Sequence, residues 1–419
     1  MEKKKILVIA DHPMAFSGVA NQTRYVIDAL VKTGKYKFVC LGGAMKHHDY
    51  RPVKVDEWGE DVIIFPVDGY GSPDIIRSII RTERPDLLWF MTDPRFWDWL
   101  WQMEDEIRPL IPMVYYHVWD NYPYPKYNKT DYSSNDFIAA ISKVTHDIVK
   151  TVTPEVKSQY LPHAVDQSIF KKLPDEEIQE QKKLHFGEIA TNKKIFFFNS
   201  RNARRKMTGS LILWFKEFID EVGHDKAILL MHTDPKDPNG PDLEAIINDN
   251  NLNEGQVLFS KEKLAPENMA AIYNMVDCTI SISDAEGFGL STLESLACGT
   301  PIIVTMTGGL QEQVTDGKEW FGIGIEPISK AIIGSQQVPY IYEDRICKED
   351  FKNALKKIYS MSSDELDEMT KKGIKHVEKN YNFENFKSSW VKLIEEVIQE
   401  NGSWKTRKNY KSWNFKEIR

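Results

Sequence analysis

The sequence predicts an α/β chain of two doubly wound, parallel-sheet domains followed by a helical segment. Three observations lead there: a length of 419 residues, short apolar runs alternating with helical stretches, and a restart of that alternation after a polar interruption. A chain this long exceeds one ordinary core, so two domains follow. Short apolar strands separated by helices are the pattern of a parallel sheet covered on both faces.

In chain order, residues 6–10 form a short apolar run that ends in the polar stretch 11–18. Val19, Tyr25, Val26, Ala29 and Leu30 then recur at helical spacing, which gives strand, loop, helix. Further runs at 38–41, 62–65, 87–91, 113–116 and 137–141 complete the first domain. A second set lies at 195–198, 227–231, 257–259, 278–282 and 302–305. Between the sets, residues 171–191 are rich in Glu, Lys and Gln and read as a solvated helix after a linker. The expected domains are therefore 1–169 and 170–385. From Glu349 the pattern is helical, with Phe351, Leu355, Ile358 and Tyr359 on one face and Phe383, Phe386, Trp390, Leu393 and Val397 further on.

Composition narrows the function classes. The chain is 42% hydrophobic and 28% charged, an ordinary globular balance. A formal net charge of −8 argues against a surface built to coat nucleic acid or an anionic membrane. Cys40, Cys278, Cys298 and Cys347 are far apart, with neither paired metal spacing nor the density of a disulfide framework, and read as reduced thiols. Residues 1–13 hold too few apolar positions for a signal-peptide core, and no run approaches the ~18 apolar residues of a spanning helix. A cytoplasmic location is expected.

The chemistry concentrates in residues 283–301. A strand enters a turn at Gly287 and Gly289, and a helix follows from about Ser291. Glycines there let backbone approach a ligand, and the first N–H groups of the helix are left for an anion or a sugar oxygen. Glu286 and Glu294 flank that turn and suit paired hydroxyls. Spacing alone leaves a helix-start carboxylate and a solvent-facing Glu as an equal reading.

The segment closely resembles the E-x7-E motif of the family-4 retaining glycosyltransferases, including the following Cys298-Gly299-Thr300-Pro301 and Gly308-Gly309 with Glu312. The resemblance implies the GT-B fold, two Rossmann-like domains facing a central cleft. It implies that Glu286 contacts donor-sugar hydroxyls, Glu294 holds the nucleotide ribose, and the amides of Gly287, Phe288, Gly289 and Leu290 line the sugar and diphosphate. The expected activity is transfer of a sugar from a nucleotide-diphosphate donor to an unidentified acceptor, with retention.

Other segments fall into place around that motif. Arg201 and Lys206 match the family's Arg followed five residues later by Lys, next to a strand end, where cations suit a diphosphate leaving group. Ser200 and Met207 stand where the family usually has Gly. In the first strand-to-helix loop Gly18 is the only glycine, so the dinucleotide fingerprint G-x-G-x-x-G is absent and an oxidoreductase is disfavoured; the resemblance brings the Gly18 backbone to the diphosphate. His117 ends a first-domain strand, where the family has a His that contacts the transferred sugar. Residues 161–166 resemble the family's hinge.

No D-x-D and no metal-ligand cluster occurs, so no metal and no cofactor is expected, and the nucleotide-sugar is a substrate. The aromatic stretches 96–101 and 115–127 suit sugar stacking or core packing alike. The tail 401–419 mixes Lys and Arg with Trp404, Tyr410, Trp413 and Phe415. That mixture suits nucleic acid or a membrane surface, and docking of the final helices, from about 386, onto the first domain is the preferred reading. The rivals are transfer onto modified DNA, a sugar-nucleotide epimerase or hydrolase, and a non-catalytic nucleotide-sugar binder.

Overall fold

The computed structural model describes residues 2–187 and 193–410. The chain divides into two compact units, one of residues 1–163, 335–339 and 384–419, the other of residues 164–334 and 340–383. The expected boundary at Ile169 falls among the first residues of the second unit.

Among the described residues, the first unit holds seven strands: β1 (Lys4–Asp11), β2 (Tyr36–Gly43), β3 (Val62–Pro66), β4 (Leu87–Thr92), β5 (Met113–His117), β6 (Phe137–Ala140) and β7 (Ser158–Tyr160). They form one parallel sheet in the order β3-β2-β1-β4-β5-β6-β7. β1 and β4 are buried over most of their length, which is why they read as continuous apolar runs rather than alternating ones.

The second unit repeats the plan with β8 (Lys194–Asn199), β9 (Ala227–His232), β10 (Val257–Ser260), β11 (Cys278–Ser281), β12 (Ile302–Thr305) and β13 (Gly322–Ile325). Their order, β10-β9-β8-β11-β12-β13, is again parallel and again the Rossmann winding. Its core packs Phe196, Phe198, Phe215, Phe218, Leu229, Ile280 and Ile303 together. A two-stranded antiparallel hairpin, β14 (Ser329–Ile333) and β15 (Ile341–Arg345), follows outside that sheet.

Three features are absent from the sequence reading for physical reasons. β7 is the three-residue polar edge Ser-Gln-Tyr, with no apolar run to announce it. β13 alternates Gly with Ile, because a Cβ at Gly322 would lie 2.1 Å from the Ile302 carbonyl oxygen and one at Gly324 2.4 Å from Met306 Sδ. The hairpin is only partly buried and gives no strong alternation.

The helix Asp175–Phe186 has no buried residue, as its charge content requires. The last long helix, Phe383–Asn401, lies with the first unit from Glu384 onward. Its Trp390 is fully buried, with ring centroids 5.8 Å from Trp89 and 4.8 Å from Tyr116. Beyond it, Trp404 donates from Nε1 to the Pro85 carbonyl at 2.6 Å, and Arg407 pairs with Asp136 at 2.6 Å. Residues 411–419 of the basic aromatic tail lie outside the described residues. Among the described residues, no helix is long and apolar enough to cross a membrane.

Candidate functional site

In an open doubly wound sheet, ligands bind beyond the carboxyl ends of the strands where the winding reverses. In the second unit that point lies between β8 and β11. The end of β8 and the loop after it carry Asn199 to Lys206, and the loop after β11 carries Ser283 to Gly289. Topology therefore brings both sequence motifs to one place.

Their side chains meet there. Lys206, in the short 3-10 turn Arg204–Lys206, donates directly to Glu286 Oε2. Arg205 Nη1 lies 3.6 Å from the same oxygen and donates to the Ala285 carbonyl. Burial alone would raise the Glu286 pKa; the Lys206 ammonium and then the Arg205 guanidinium outweigh it and hold the carboxyl below its ordinary value. Glu286 is thus an oriented carboxylate with one oxygen tied to cations. Met207, where the family pattern has Gly, sits at φ 57°, in the left-handed region that favours glycine.

The glycine turn is held from beneath. A Cβ at Gly309 would lie 2.6 Å from the Gly287 carbonyl oxygen and 2.6 Å from the Phe288 Cα, so only glycine allows the two loops to close. Gly289 sits at φ 90°, and a Cβ there would meet Leu310 at 2.5 Å. Gln313 Nε2 donates to the Phe288 carbonyl at 2.7 Å, and its Oε1 accepts from Thr292 at 2.6 Å. The helix Leu290–Ala297 thus starts on Gly289 with no side chain capping its first turn, the arrangement that receives an anion.

Glu294 lies within that helix and accepts from the Tyr273 hydroxyl at 2.8 Å; Tyr273 in turn accepts from Asn199 Nδ2 at 2.7 Å. Tyr273 carries no local signal in the sequence, and with Asn199 it connects the end of β8 to the second carboxylate. Burial pushes the Glu294 carboxyl up to about 7, against the opposing hydrogen bond from Tyr273. Because this value exceeds the ~4.3 of an unfolded Glu, the folded chain holds the extra proton between the two, and stability falls as pH rises from about 4 through 7. Glu294→Gln should therefore stabilise the protein at about pH 8 by on the order of 1 to 2 kcal/mol, discounted for the partly exposed carboxylate, and much less at about pH 5. Melting curves of both proteins at the two pH values check this; equal gains would sink it.

Arg201 is placed differently from Lys206. Its side chain is 65% exposed, and its guanidinium forks onto Asp237, with Nε 2.5 Å and Nη2 3.1 Å from the two carboxylate oxygens. The bond from Arg201 holds the Asp237 carboxyl well below its ordinary range. Asp237 is a partner the sequence reading missed, because it lies on a separate loop after β9.

In the first unit, Gly18 opens the helix Gly18–Val31, whose cap Ser17 accepts from the Ala20 N–H and donates to Asp11 at 2.5 Å. His117 is fully buried at the end of β5. Its Nδ1 lies 3.1 Å from the Tyr115 hydroxyl, which donates to the Thr92 carbonyl; its Nε2 lies 2.8 Å from the Tyr132 hydroxyl, which accepts from Asn128. Those neighbours assign the proton to Nδ1, and burial pushes the imidazole pKa down to about 3, so the ring is neutral. Trp97 and Trp101 are core residues, and Phe96 is exposed.

Two sheets in Rossmann order, the second ending in a glycine turn flanked by carboxylates and cations, define a protein of the GT-B fold class. Residues 179–376 match the model of the family described as glycosyl transferases group 1. Over 189 residues the chain is 29% identical to N-acetyl-alpha-D-glucosaminyl L-malate synthase of Bacillus anthracis, covering 44% of this chain and 45% of that protein. Over 53 residues it is 45% identical to D-inositol 3-phosphate glycosyltransferase of Corynebacterium jeikeium, 13% of each chain. These matches span less than half the length of either curated relative.

Among solved structures, sucrose-phosphate synthase from Thermosynechococcus elongatus superposes with a TM-score of 0.76 at 16% identity, over 95% of this chain and all of that one. An Anabaena protein, HepE, in complex with UDP and glucose, superposes at 0.66 and 14% identity, with 95% and 100% coverage. At such identities the likeness establishes the fold.

Proposed function

We propose that the chain is a retaining glycosyltransferase that moves a sugar from a nucleoside-diphosphate donor to an acceptor hydroxyl without a metal ion. One observation carries the reading: the Lys206–Glu286 pair and Glu294 flank an uncapped helix start at the winding reversal of the second sheet. A diphosphate fits that helix start, Glu286 offers its remaining oxygen to donor-sugar hydroxyls, and Glu294 accepts from the ribose.

In the proposed reaction the bond between the anomeric carbon and the diphosphate oxygen breaks, and negative charge grows on the leaving group beside Arg205 and Lys206. The acceptor oxygen bonds to the same face of the anomeric carbon. Its proton passes to an oxygen of the departing diphosphate. Arg201 joins the donor side once its fork leaves Asp237 for phosphate. In this reading the Gly18 backbone serves the donor diphosphate and the neutral His117 imidazole serves a hydroxyl of the transferred sugar, which it meets only after Tyr132 yields Nε2. A cytoplasmic location agrees with four unpaired cysteines, three of them buried.

The test is a screen of UDP-, GDP- and ADP-sugars by thermal shift, followed by turnover with and without acceptors. Stabilisation by about 2 to 3 kcal/mol at a hundredfold excess over Kd is expected for the true donor, undiminished by a chelator. Conversion of donor that never needs an acceptor would point instead to a hydrolase or epimerase. Binding with no turnover under any acceptor would point to a nucleotide-sugar binder. The UDP-bound Anabaena structure makes uridine donors the first to try.

A further inference from the structure

The hairpin β14–β15 lies outside the doubly wound sheet, yet it sends two charged side chains to the base of the donor loops. Residues two apart on a strand share a face, and Glu343 and Arg345 both face the same cluster. Glu343, 2% exposed, pairs with both nitrogens of the Arg204 fork and with Arg345 Nη2 at 2.9 Å. Arg345 Nη1 also lies 2.8 Å from Asp284 Oδ2, and Asp284 is itself buried. Between them, Asp344 turns to the other face and pairs with Lys330 at 3.0 Å.

The backbone makes the same junction. The Asp284 N–H donates to the Arg205 carbonyl at 2.8 Å, and the Asp344 N–H donates to the Asp284 carbonyl at 2.8 Å. The basic turn, the strand end before Glu286 and the hairpin are thus joined through Asp284. The cations of the turn divide accordingly: Arg204 goes to the hairpin, while Arg205 and Lys206 go to Glu286. The two carboxylates of this network are buried while the Arg204 side chain is 60% exposed, so the network adds little net stability and its effect is on geometry.

We infer that Glu343 and Arg345 are positioning residues for the proposed donor site, holding the turn Arg204–Lys206 and Asp284 in the register that sets Lys206 and Arg205 against Glu286 and the diphosphate. The inference rests on the donor reading above. It makes the hairpin a working part of the donor unit and confines its effect to the phosphate end of the ligand, since Glu294 is held separately by Tyr273 and Asn199.

Binding of UDP, GDP and ADP, each paired with its free nucleoside, to wild type and Glu343→Gln tests it, with ligand-observed NMR covering weak nucleosides. For the diphosphate that wild type prefers, Glu343→Gln should weaken binding about tenfold, the worth of one charge-assisted hydrogen bond. The matching nucleoside should bind both proteins alike. Arg345→Lys, which keeps the charge and loses the fork, should show the same split and serves if Glu343→Gln does not fold. Equal diphosphate binding by wild type and variants overturns the inference alone, as does parallel loss of diphosphate and nucleoside, which marks a merely structural role. Failure of wild type to bind any of the three diphosphates overturns the donor reading and this inference with it.

Discussion

Lys206→Met should lower turnover by about a hundredfold or more on whichever sugar nucleotide the screen returns, the usual cost of removing one preorganised donor from a site of growing negative charge. The same exchange leaves Glu286 buried beside Arg205 alone, 3.6 Å away. Removing one member of a buried pair costs about 3 to 5 kcal/mol, and the stranded carboxyl answers by rising in pKa. The double variant Lys206→Met/Glu286→Gln separates the two consequences. It should recover much of the stability, because no uncompensated charge remains, and recover none of the turnover. Steady-state kinetics and urea melts of the three proteins suffice. Wild-type turnover in Lys206→Met would end the assignment of this pair to the donor.

Trp390→Ala should cost about 3 to 5 kcal/mol, the range for emptying a large aromatic from a core. The indole is fully buried among Trp89, Tyr116 and Phe386. It is joined on the same helix by Leu393, Ile394 and Val397, each at most 2% exposed. Trp390→Phe keeps edge contacts with its neighbours and should cost clearly less. The readout is the urea midpoint of the intact chain; a loss below about 1 kcal/mol would mean that this helix is not an anchor for the first unit.

What the sequence made legible follows from which physics is local. All eleven runs singled out as strands fall on strands, most of them buried on both faces and therefore legible as unbroken apolar stretches. Polar β7 and glycine-alternating β13 escape that criterion. In the second unit, Glu286, Glu294 and Lys206 were visible because strand ends, glycine turns and helix starts leave marks within a few residues. Their partners were not. Tyr273 reaches Glu294 from another helix, Asp237 claims Arg201 from a different loop, and Glu343 reaches Arg204 across 139 positions of sequence. Pairing of this kind is fixed by three-dimensional closure and has no short-range pattern.

His117 illustrates the same divide within the first unit. Its place at a strand end was readable, whereas the two tyrosines that occupy its nitrogens were not: Tyr115 lies two residues back but acts through a bond to Thr92, and Tyr132 comes from a separate short helix. The aromatic stretch 96–101, ambiguous as sequence, divides residue by residue, with Trp97 and Trp101 inward and Phe96 outward.

The clearance beneath the glycine turn also bears on attempts to re-engineer this protein. With Gly309 pressed against the Gly287–Phe288 backbone and Gly289 in a left-handed conformation against Leu310, neither glycine can vary without moving the loop itself. A diversity library aimed at new ligands would waste its members at these two codons. Ser200 and Ser291, by contrast, are both partly exposed, and randomisation is better aimed there.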